Sequence, residues 1–157
     1  SLGAKYFVRD FVYQNASNFQ SFLPAIVFII GCLLAFATGT SWGTFGMLIP
    51  IVQNVFPMDN PLAVVCISAC MAGAVCGDHC SPISDTTIMA SAGAQCDHVN
   101  HVSTQLPYAI TVAAVSFVSY LIAGFVPKAY ISLPIALVLM LLTIFVLHRT
   151  LKGKAAA

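Results

Sequence analysis

The stretch Gly77-Asp78-His79-Cys80-Ser81-Pro82-Ile83-Ser84-Asp85-Thr86-Thr87 decides how this chain is organised. It carries two carboxylates, one imidazole, four hydroxyls and a proline, yet it stands between the apolar runs 62–76 and 88–94. Together the three pieces are about as long as one membrane crossing whose middle has been opened out. Irregular backbone at membrane depth is tolerated only where it is buried in protein or lines a water-filled cavity, and ionisable side chains there mark functional sites. We therefore expect an ion site in this stretch.

Composition identifies an integral membrane protein. The chain is 59% hydrophobic and 7% charged, with a mean hydropathy of +0.93, whereas a soluble domain carries about 25% charged residues. Between Arg9 and Lys128 every formal charge is acidic: Asp10, Asp59, Asp78, Asp85 and Asp97. An interior with carboxylates and without fixed cations favours a cationic substrate over an anionic one. The net charge of +1 gives no indication of a nucleic-acid partner, and none is expected.

A second polar break precedes the first one. The stretch Thr38-Gly39-Thr40-Ser41-Trp42-Gly43-Thr44-Phe45-Gly46 holds three glycines and four hydroxyls between the apolar runs 23–37 and 47–56. Hydrophobic segments interrupted in this way are the best sequence indication of a transporter binding site. We interpret each of the two segments as a half-helix, a polar break and a half-helix. A re-entrant hairpin at one of the breaks is the alternative.

The rest of the chain completes an all-α integral membrane fold with about four crossings, two of them discontinuous or re-entrant. Residues 1–20 place Lys5 and Arg9 among aromatic side chains, which predicts an interfacial amphipathic helix. Residues 21–157 form the membrane transport domain, with a polar loop at 95–105 and uninterrupted spans at 107–126 and 133–147. The basic tail from His148 to Lys154 is predicted to be cytoplasmic. Counting four crossings backwards predicts that the start of the chain is cytoplasmic too.

The helix breaks provide chemistry because each exposes unpaired carbonyls at one helix end and unpaired N–H groups at the next start. Asp78 follows the first half-helix, where burial and the partly negative carbonyl end disfavour its ionised form unless a cation is bound. We expect Asp78 to exchange a proton for a cation. Asp85 begins the next half-helix, where an anion is stabilised, so a structural cap is its alternative role.

Neutral oxygens suit a hard cation such as Na⁺, which is the only metal that we expect, and no cofactor is expected. The candidate ligands beside the two aspartates are the hydroxyls of the same stretch and of the facing break: Ser81, Ser84, Thr86, Thr87, Thr38, Thr40, Ser41 and Thr44. His79 is a candidate proton relay, and simple hydrogen bonding within the break is its alternative. His98 and His101 could bind a metal or sense pH, but we interpret them as part of a solvated loop.

Small residues and thiols mostly indicate packing. Gly73 and Gly77 form a GxxxG pair, with Ala69 one turn earlier, which predicts a face for close helix packing. The six cysteines lack the CxxC spacing of a metal or redox motif, and buried cysteine behaves as a small hydrophobe. A membrane redox or metal-binding protein that uses these thiols with His79 is the alternative from another class of function.

At residues 77–87 the sequence resembles the NhaC-type Na⁺/H⁺ antiporter family, and residues 38–46 resemble that family's other glycine- and hydroxyl-rich segment. The resemblance extends over most of residues 20–126. It implies a multi-pass secondary transporter of the bacterial cytoplasmic membrane, not an enzyme, with the fold of the ion-transporter superfamily and two inverted repeats. Members are longer, so the chain is expected to be a C-terminal part equivalent to one half of such a transporter.

The resemblance also implies partners and an alternative substrate. Na⁺ and H⁺ are the expected substrates, the lipid bilayer surrounds the chain, and the missing N-terminal repeat would complete the site. A second copy of the chain is one option for assembly. Other members of the family exchange organic acids such as malate and lactate while coupling to ions, and this is the alternative function.

Overall fold

The computed structural model describes residues 20–57 and 59–155, in which the regular structure is helical throughout. A 3₁₀ turn at Gln20–Phe22 leads into six helices: α1 Leu23–Thr38, α2 Ser41–Val55, α3 Pro61–Cys80, α4 Asp85–Gly93, α5 His98–Phe125 and α6 Ala129–Ala155. The prediction of an all-α fold is confirmed. The interfacial helix predicted for residues 1–20 lies outside the described residues except at its last position.

Four of these helices are long and apolar enough to cross a membrane, namely Gln20–Thr38, Pro61–Cys80, His98–Phe125 and Ala129–Thr150. The predicted number of crossings is therefore confirmed. The helices α2 and α4 have only 15 and 9 residues. At about 1.5 Å per residue each helix is shorter than a hydrocarbon core of about 30 Å, although α2 runs back from the end of α1 to the level of its start.

The chain reverses direction between α1 and α2. Gly39 ends α1 with φ 67, a left-handed conformation that glycine adopts without steric cost. Thr40 caps α2 by accepting a hydrogen bond from the backbone N–H of Gly43 at 3.3 Å. The end of α2, at Val52 and Val55, packs in the same apolar cluster as the start of α1. The break predicted for 38–46 is therefore shorter, since only Gly39 and Thr40 are non-helical, and it is the tip of a helical hairpin, the second of the two alternatives.

The helices α1 and α3 run in the same direction with their backbones in contact. A Cβ on Gly73 would collide with the carbonyl oxygen of Phe28, and one on Gly77 with the carbonyl oxygen of Cys32. The contacts advance by four residues on both helices, which requires a parallel pair. Small residues allow such close approach, so the predicted packing role of the GxxxG pair is confirmed.

The helix α5 returns antiparallel to this pair. Its start meets the end of α3, where Gln105 donates a hydrogen bond from Nε2 to the carbonyl oxygen of His79 at 2.9 Å. Its end meets the start of α1, where the rings of Phe22 and Phe125 lie edge to face with centroids 5.3 Å apart. After the short turn at residues 126–128, α6 packs back along α5, as a short connection between helices favours.

Two predictions require correction. The polar segment 95–105 is largely helical, because Asp97 caps α5 by accepting a hydrogen bond from the N–H of Asn100 at 2.9 Å. The chain reversal at the hairpin also puts Gln20 and the basic end of α6 at opposite ends of the helix bundle. The prediction that both ends of the fragment are cytoplasmic assumed an unreversed crossing; the ends of the described part do not share one end of the bundle, and the membrane side of each end stays a prediction. Lys5 and Arg9 lie outside the described residues.

Candidate ion site

The structure brings the two polar breaks into contact. A Cβ on Gly39, at the hairpin tip, would lie 2.9 Å from the carbonyl oxygen of Ile83. One turn before the tip, the carbonyl oxygen of Phe36 accepts a hydrogen bond from Oγ of Ser81 at 2.8 Å. Because α1 and α3 are parallel, their carbonyl ends meet at the same level of the bundle.

The second break is shorter than the motif predicts. The helix α3 continues through Cys80 and α4 begins at Asp85, so only residues 81–84 are non-helical. The carbonyl of Asp78 still accepts the capping hydrogen bond from the N–H of Ser81 at 3.0 Å. Asp78 therefore stands in the last turn of a helix, on the partly negative side of the break.

Asp78 is the buried acid of this region. Its residue is 4% exposed, and its Oδ1 is buried without a hydrogen-bond partner among the described residues. Buried polar atoms nearly always have a partner, and an uncompensated carboxylate is costly to desolvate. Burial without a partner therefore disfavours an uncompensated charge on the Asp78 carboxylate.

Four hydroxyl side chains from both breaks are buried near the two helix ends: Thr44, Ser81, Ser84 and Thr87. Several of them already use their protons. Oγ1 of Thr44 donates to the carbonyl oxygen of Thr40 at 2.8 Å. Oγ of Ser84 pairs with Oγ1 of Thr86 at 2.7 Å. A hydroxyl that donates its proton within the protein, as that of Thr44 does, presents its lone pairs to its surroundings.

The remaining candidate ligands lie at the edge of this region. Asp85, Thr86, Thr38 and Thr40 are exposed, and Ser41 is half-buried. Asp85 occupies the first turn of α4, where its charge complements the partly positive helix start. The two aspartates thus occupy different environments, one buried at a carbonyl end and one exposed at an N–H end.

His79 faces away from the described core. Its side chain is exposed and lines a cavity of about 580 Å³ between α1, α3 and α5. Apolar residues such as Met71 and Val112 form most of the wall, and Gln105 contributes a polar group. The structure therefore does not show His79 bonded to Asp78, and its role as a proton relay stays a prediction.

Sequence reasoning missed Gln105 and Ser91 and interpreted His98 as part of a solvated loop, whereas these three side chains hold the second break from α4 and α5. Gln105 bonds the carbonyl oxygen of His79, and His98 contacts both the carbonyl oxygen of Pro82 at 2.7 Å and Oγ of Ser91 at 3.0 Å. The available signal was Asp97, a good helix cap, which would have indicated a helix starting at the next residue.

The thiols provide no metal cluster in the described part of the chain. All six cysteines are free, with Cys66 and Cys70 buried in α3 and Cys96 exposed. Within residues 20–57 and 59–155, no group of three or more His, Cys, Asp or Glu side chains could hold a metal ion. Oxygen ligands from hydroxyls and carbonyls are a different kind of site.

The fold has four long apolar helices and two shorter ones, and its two polar breaks meet beside a buried carboxylate. These features define a multi-pass membrane protein with a polar centre. Residues 7–125 match the model of the Na⁺/H⁺ antiporter family. The match covers well over half of the chain, which therefore belongs to that family of secondary transporters.

Individual relatives agree with this assignment. The chain is 56% identical over 107 residues to an uncharacterized protein of Haemophilus influenzae, covering 68% of this chain and 21% of the relative. It is 37% identical over 118 residues to an uncharacterized Na⁺/H⁺ antiporter of the same organism, covering 72% and 23%. It is 34% identical over 121 residues to the malate-2H⁺/Na⁺-lactate antiporter of Bacillus subtilis, covering 76% and 24%. The chain thus spans less than a quarter of each relative's length. No solved structure matches the chain.

Proposed function

We propose that this chain is part of a secondary transporter that exchanges Na⁺ for H⁺, and that Asp78 carries the exchange. The observation that supports the proposal is the buried, unpartnered Oδ1 of Asp78 beside the junction of two helix breaks. Protonation neutralises the carboxyl group, and Na⁺ binding neutralises the carboxylate. The two bound states therefore both relieve the cost of burial, whereas the empty ionised state does not.

The surroundings of Asp78 favour a cation. The carbonyl ends of α1 and α3 each carry partial negative charge, and both lie at the junction with Asp78. No lysine or arginine occurs between Arg9 and Lys128 to compete for the carboxylate. We assign the buried oxygens of Ser81, Ser84, Thr87 and Thr44 as the inner ligands. The exposed or half-buried Thr38, Thr40, Ser41, Thr86 and Asp85 would attract the ion at the edge of the site.

Organic-acid exchange is the second candidate, because one relative is named a malate-2H⁺/Na⁺-lactate antiporter. The starts of α2 and α4 point N–H groups toward the same junction, and helix starts bind carboxylates. A substrate carboxylate would then bind at these N–H ends while the coupling ion binds at the carbonyl ends. The absence of lysine and arginine between Arg9 and Lys128 favours the simpler Na⁺/H⁺ exchange.

We also propose an orientation in the bacterial cytoplasmic membrane. Arg149 and Lys152 lie at the end of α6, and Lys128 lies at the opposite end of that helix. The excess of basic residues places the end of α6, and with it the junction end of the bundle, toward the cytoplasm. Lipid surrounds the exposed apolar faces, and an N-terminal repeat of the same transporter completes the site. A second copy of the transporter is one option for assembly.

The test uses inverted membrane vesicles that contain the full-length transporter, with Na⁺-induced proton movement as the readout. Asp78→Asn should abolish exchange, because an amide cannot alternate between a proton and a cation. Asp85→Asn should retain exchange with weaker apparent Na⁺ affinity. Asp59→Asn is the matched control, since Asp59 is exposed in the turn before α3, and it should behave as the parent.

Two outcomes would change the proposal. If Asp78→Asn exchanged Na⁺ for H⁺ as the parent does, the junction would not contain the exchanging carboxylate. If the parent ignored Na⁺ alone but moved protons when malate or lactate was added, the organic-acid function would replace Na⁺/H⁺ exchange.

A further inference from the structure

We propose that His98 is a positioning residue that holds the second break in place through the carbonyl of Pro82, and that protonation of His98 tightens this hold. The inference rests on the proposed function, because it assumes that the break is the site where ions exchange. It concerns a residue outside the candidate ligands.

The geometry joins three elements through one side chain. His98 is the first residue of α5 and is half-buried. Its Nε2 lies 2.7 Å from the carbonyl oxygen of Pro82 in the break, and its Nδ1 lies 3.0 Å from Oγ of Ser91 in α4. The neighbours of Pro82 on either side, Ser81 and Ile83, are the residues that contact the hairpin. His98 therefore acts on the middle of the segment that joins the two breaks.

The count of protons assigns the roles of the two ring nitrogens. A carbonyl oxygen only accepts, so Nε2 of His98 must carry a proton and donate it to Pro82. Oγ of Ser91 has one proton, and it lies 2.9 Å from the carbonyl oxygen of Ile88 as well as 3.0 Å from Nδ1 of His98. A neutral His98 must compete with Ile88 for that proton. An imidazolium donates from Nδ1 to Ser91, and Ser91 then donates to Ile88.

All three contacts are hydrogen bonds only when His98 is protonated. Acidification therefore adds one hydrogen bond to the connection between α5, the break and α4. Hydrogen bonds of a charged donor are about twice as strong as neutral ones. If the exchange of Na⁺ for H⁺ requires the break to rearrange, the added hydrogen bond slows this ion exchange at acid pH.

The charges around His98 include some that favour a positive charge on its ring and some that oppose it. The carbonyl end of α4 favours the imidazolium, and the start of α5 opposes it. The charged and titratable groups on the elements packed around His98 are Asp78, His79 and Cys80 in α3, Asp85 in α4, Cys96 and Asp97 in the connecting segment, and His101 in α5. None of them forms a hydrogen bond with the His98 ring among the described residues.

Amide hydrogen exchange in the purified full-length transporter tests the positioning role without reference to transport. His98→Ala removes both contacts of the ring. Hydrogen exchange of the amides at residues 83–88 should then become about tenfold faster, which is the effect expected from the loss of one charge-assisted hydrogen bond. His98→Gln keeps an N–H for the carbonyl of Pro82 and should stay within about twofold of the parent at alkaline pH. His101→Gln is the matched control on the same helix and should leave these amides unchanged.

The pH dependence separates positioning from ordinary structural support. After correction for intrinsic chemistry, the amides at 83–88 of the parent should become more protected on acidification, because only the imidazolium makes all three hydrogen bonds. His98→Gln should show no such change. Na⁺/H⁺ exchange by the His98→Gln variant should likewise lose the parent's decline on the acid side.

The outcomes distinguish this inference from the proposed function. Equal amide exchange in His98→Ala and His101→Gln would overturn the positioning role, even in a transporter that exchanges Na⁺ for H⁺. If the parent failed to exchange Na⁺ but His98→Ala loosened residues 83–88, the positioning role would stand and the proposed function would not. If His98→Ala did not fold, an unaltered pH response in His98→Gln would overturn the inference.

Discussion

Replacing Gly77 by alanine should force the hairpin away from α3. The added Cβ would collide with the carbonyl oxygen of Cys32, and its next neighbours are also backbone atoms of α1. A backbone carbonyl cannot rotate aside as a side chain can, so the two helices must separate. Ser81, just past the end of α3, donates a hydrogen bond to the carbonyl oxygen of Phe36 in α1, and this contact between the breaks should weaken with the separation.

The magnitude follows from two opposing effects. Overpacking a close helix contact costs about 1–3 kcal/mol. Alanine in place of glycine within a helix gains about 1 kcal/mol, and Gly46 and Gly93 offer this gain alone, because nothing lies within 4 Å of a Cβ placed on either. The gain is common to both variants, so the free energy of unfolding of Gly77→Ala should fall below that of Gly46→Ala by the overpacking cost alone, about 1–3 kcal/mol.

The assay is the midpoint of SDS-induced unfolding of the purified transporter in mixed micelles, with Na⁺/H⁺ exchange measured in parallel. Gly73→Ala should cost a similar amount, since its Cβ would collide with the carbonyl oxygen of Phe28. One displacement of α1 relieves both collisions, so the double variant should lose less than the sum of the single losses. A Gly77→Ala transporter as stable as Gly46→Ala would refute the parallel contact between α1 and α3.

Two further predictions concern buried polar groups and thiols. Ser81→Ala removes the hydrogen bond to the carbonyl oxygen of Phe36, which should lower the free energy of unfolding by about 1–3 kcal/mol in the same assay; an unchanged midpoint would show that the breaks do not depend on this bond. Maleimide should label the exposed Cys96 well before the buried Cys66 and Cys70, and labelling confined to Cys96 should leave Na⁺/H⁺ exchange intact. Loss of all activity at that stage would favour the thiol-based alternative.

The sequence was sufficient to locate both breaks and the buried acid. Glycines and hydroxyls concentrated in an apolar segment interrupt a helix wherever they occur, so residues 38–46 and 77–87 could be recognised locally. Asp78 could be assigned to a helix end for the same reason. The length of the second break was overestimated, because Gly77 and His79 remain in α3. Close packing of Gly77 against α1 compensates there for the low helix propensity of glycine.

The direction of the chain at the first break could not be predicted from local sequence. A left-handed Gly39 followed by the Thr40 cap ends one helix and starts another in either arrangement. The reversal depends on contacts far apart in sequence, namely Gly73 and Gly77 against α1 and the apolar cluster at the end of α2. The contact of His98 with the second break could not be predicted for a related reason. The polar residues in the first turns of α5 have the composition of a loop, and their contact with the break depends on the tertiary fold.

The chain reversal at Gly39 also determines the charge distribution at the junction. In a hairpin that packs parallel to α3, α1 and α3 end at the same level, so two carbonyl ends approach each other and their partial negative charges add. Asp78 adds an ionisable group in the last turn of α3, next to these carbonyl ends. The starts of α2 and α4 bring partial positive charge to the same junction without any lysine or arginine. In the proposed function, Asp78 alternates between a bound proton and a bound Na⁺, and this alternation would leave the balance of charge at the junction unchanged.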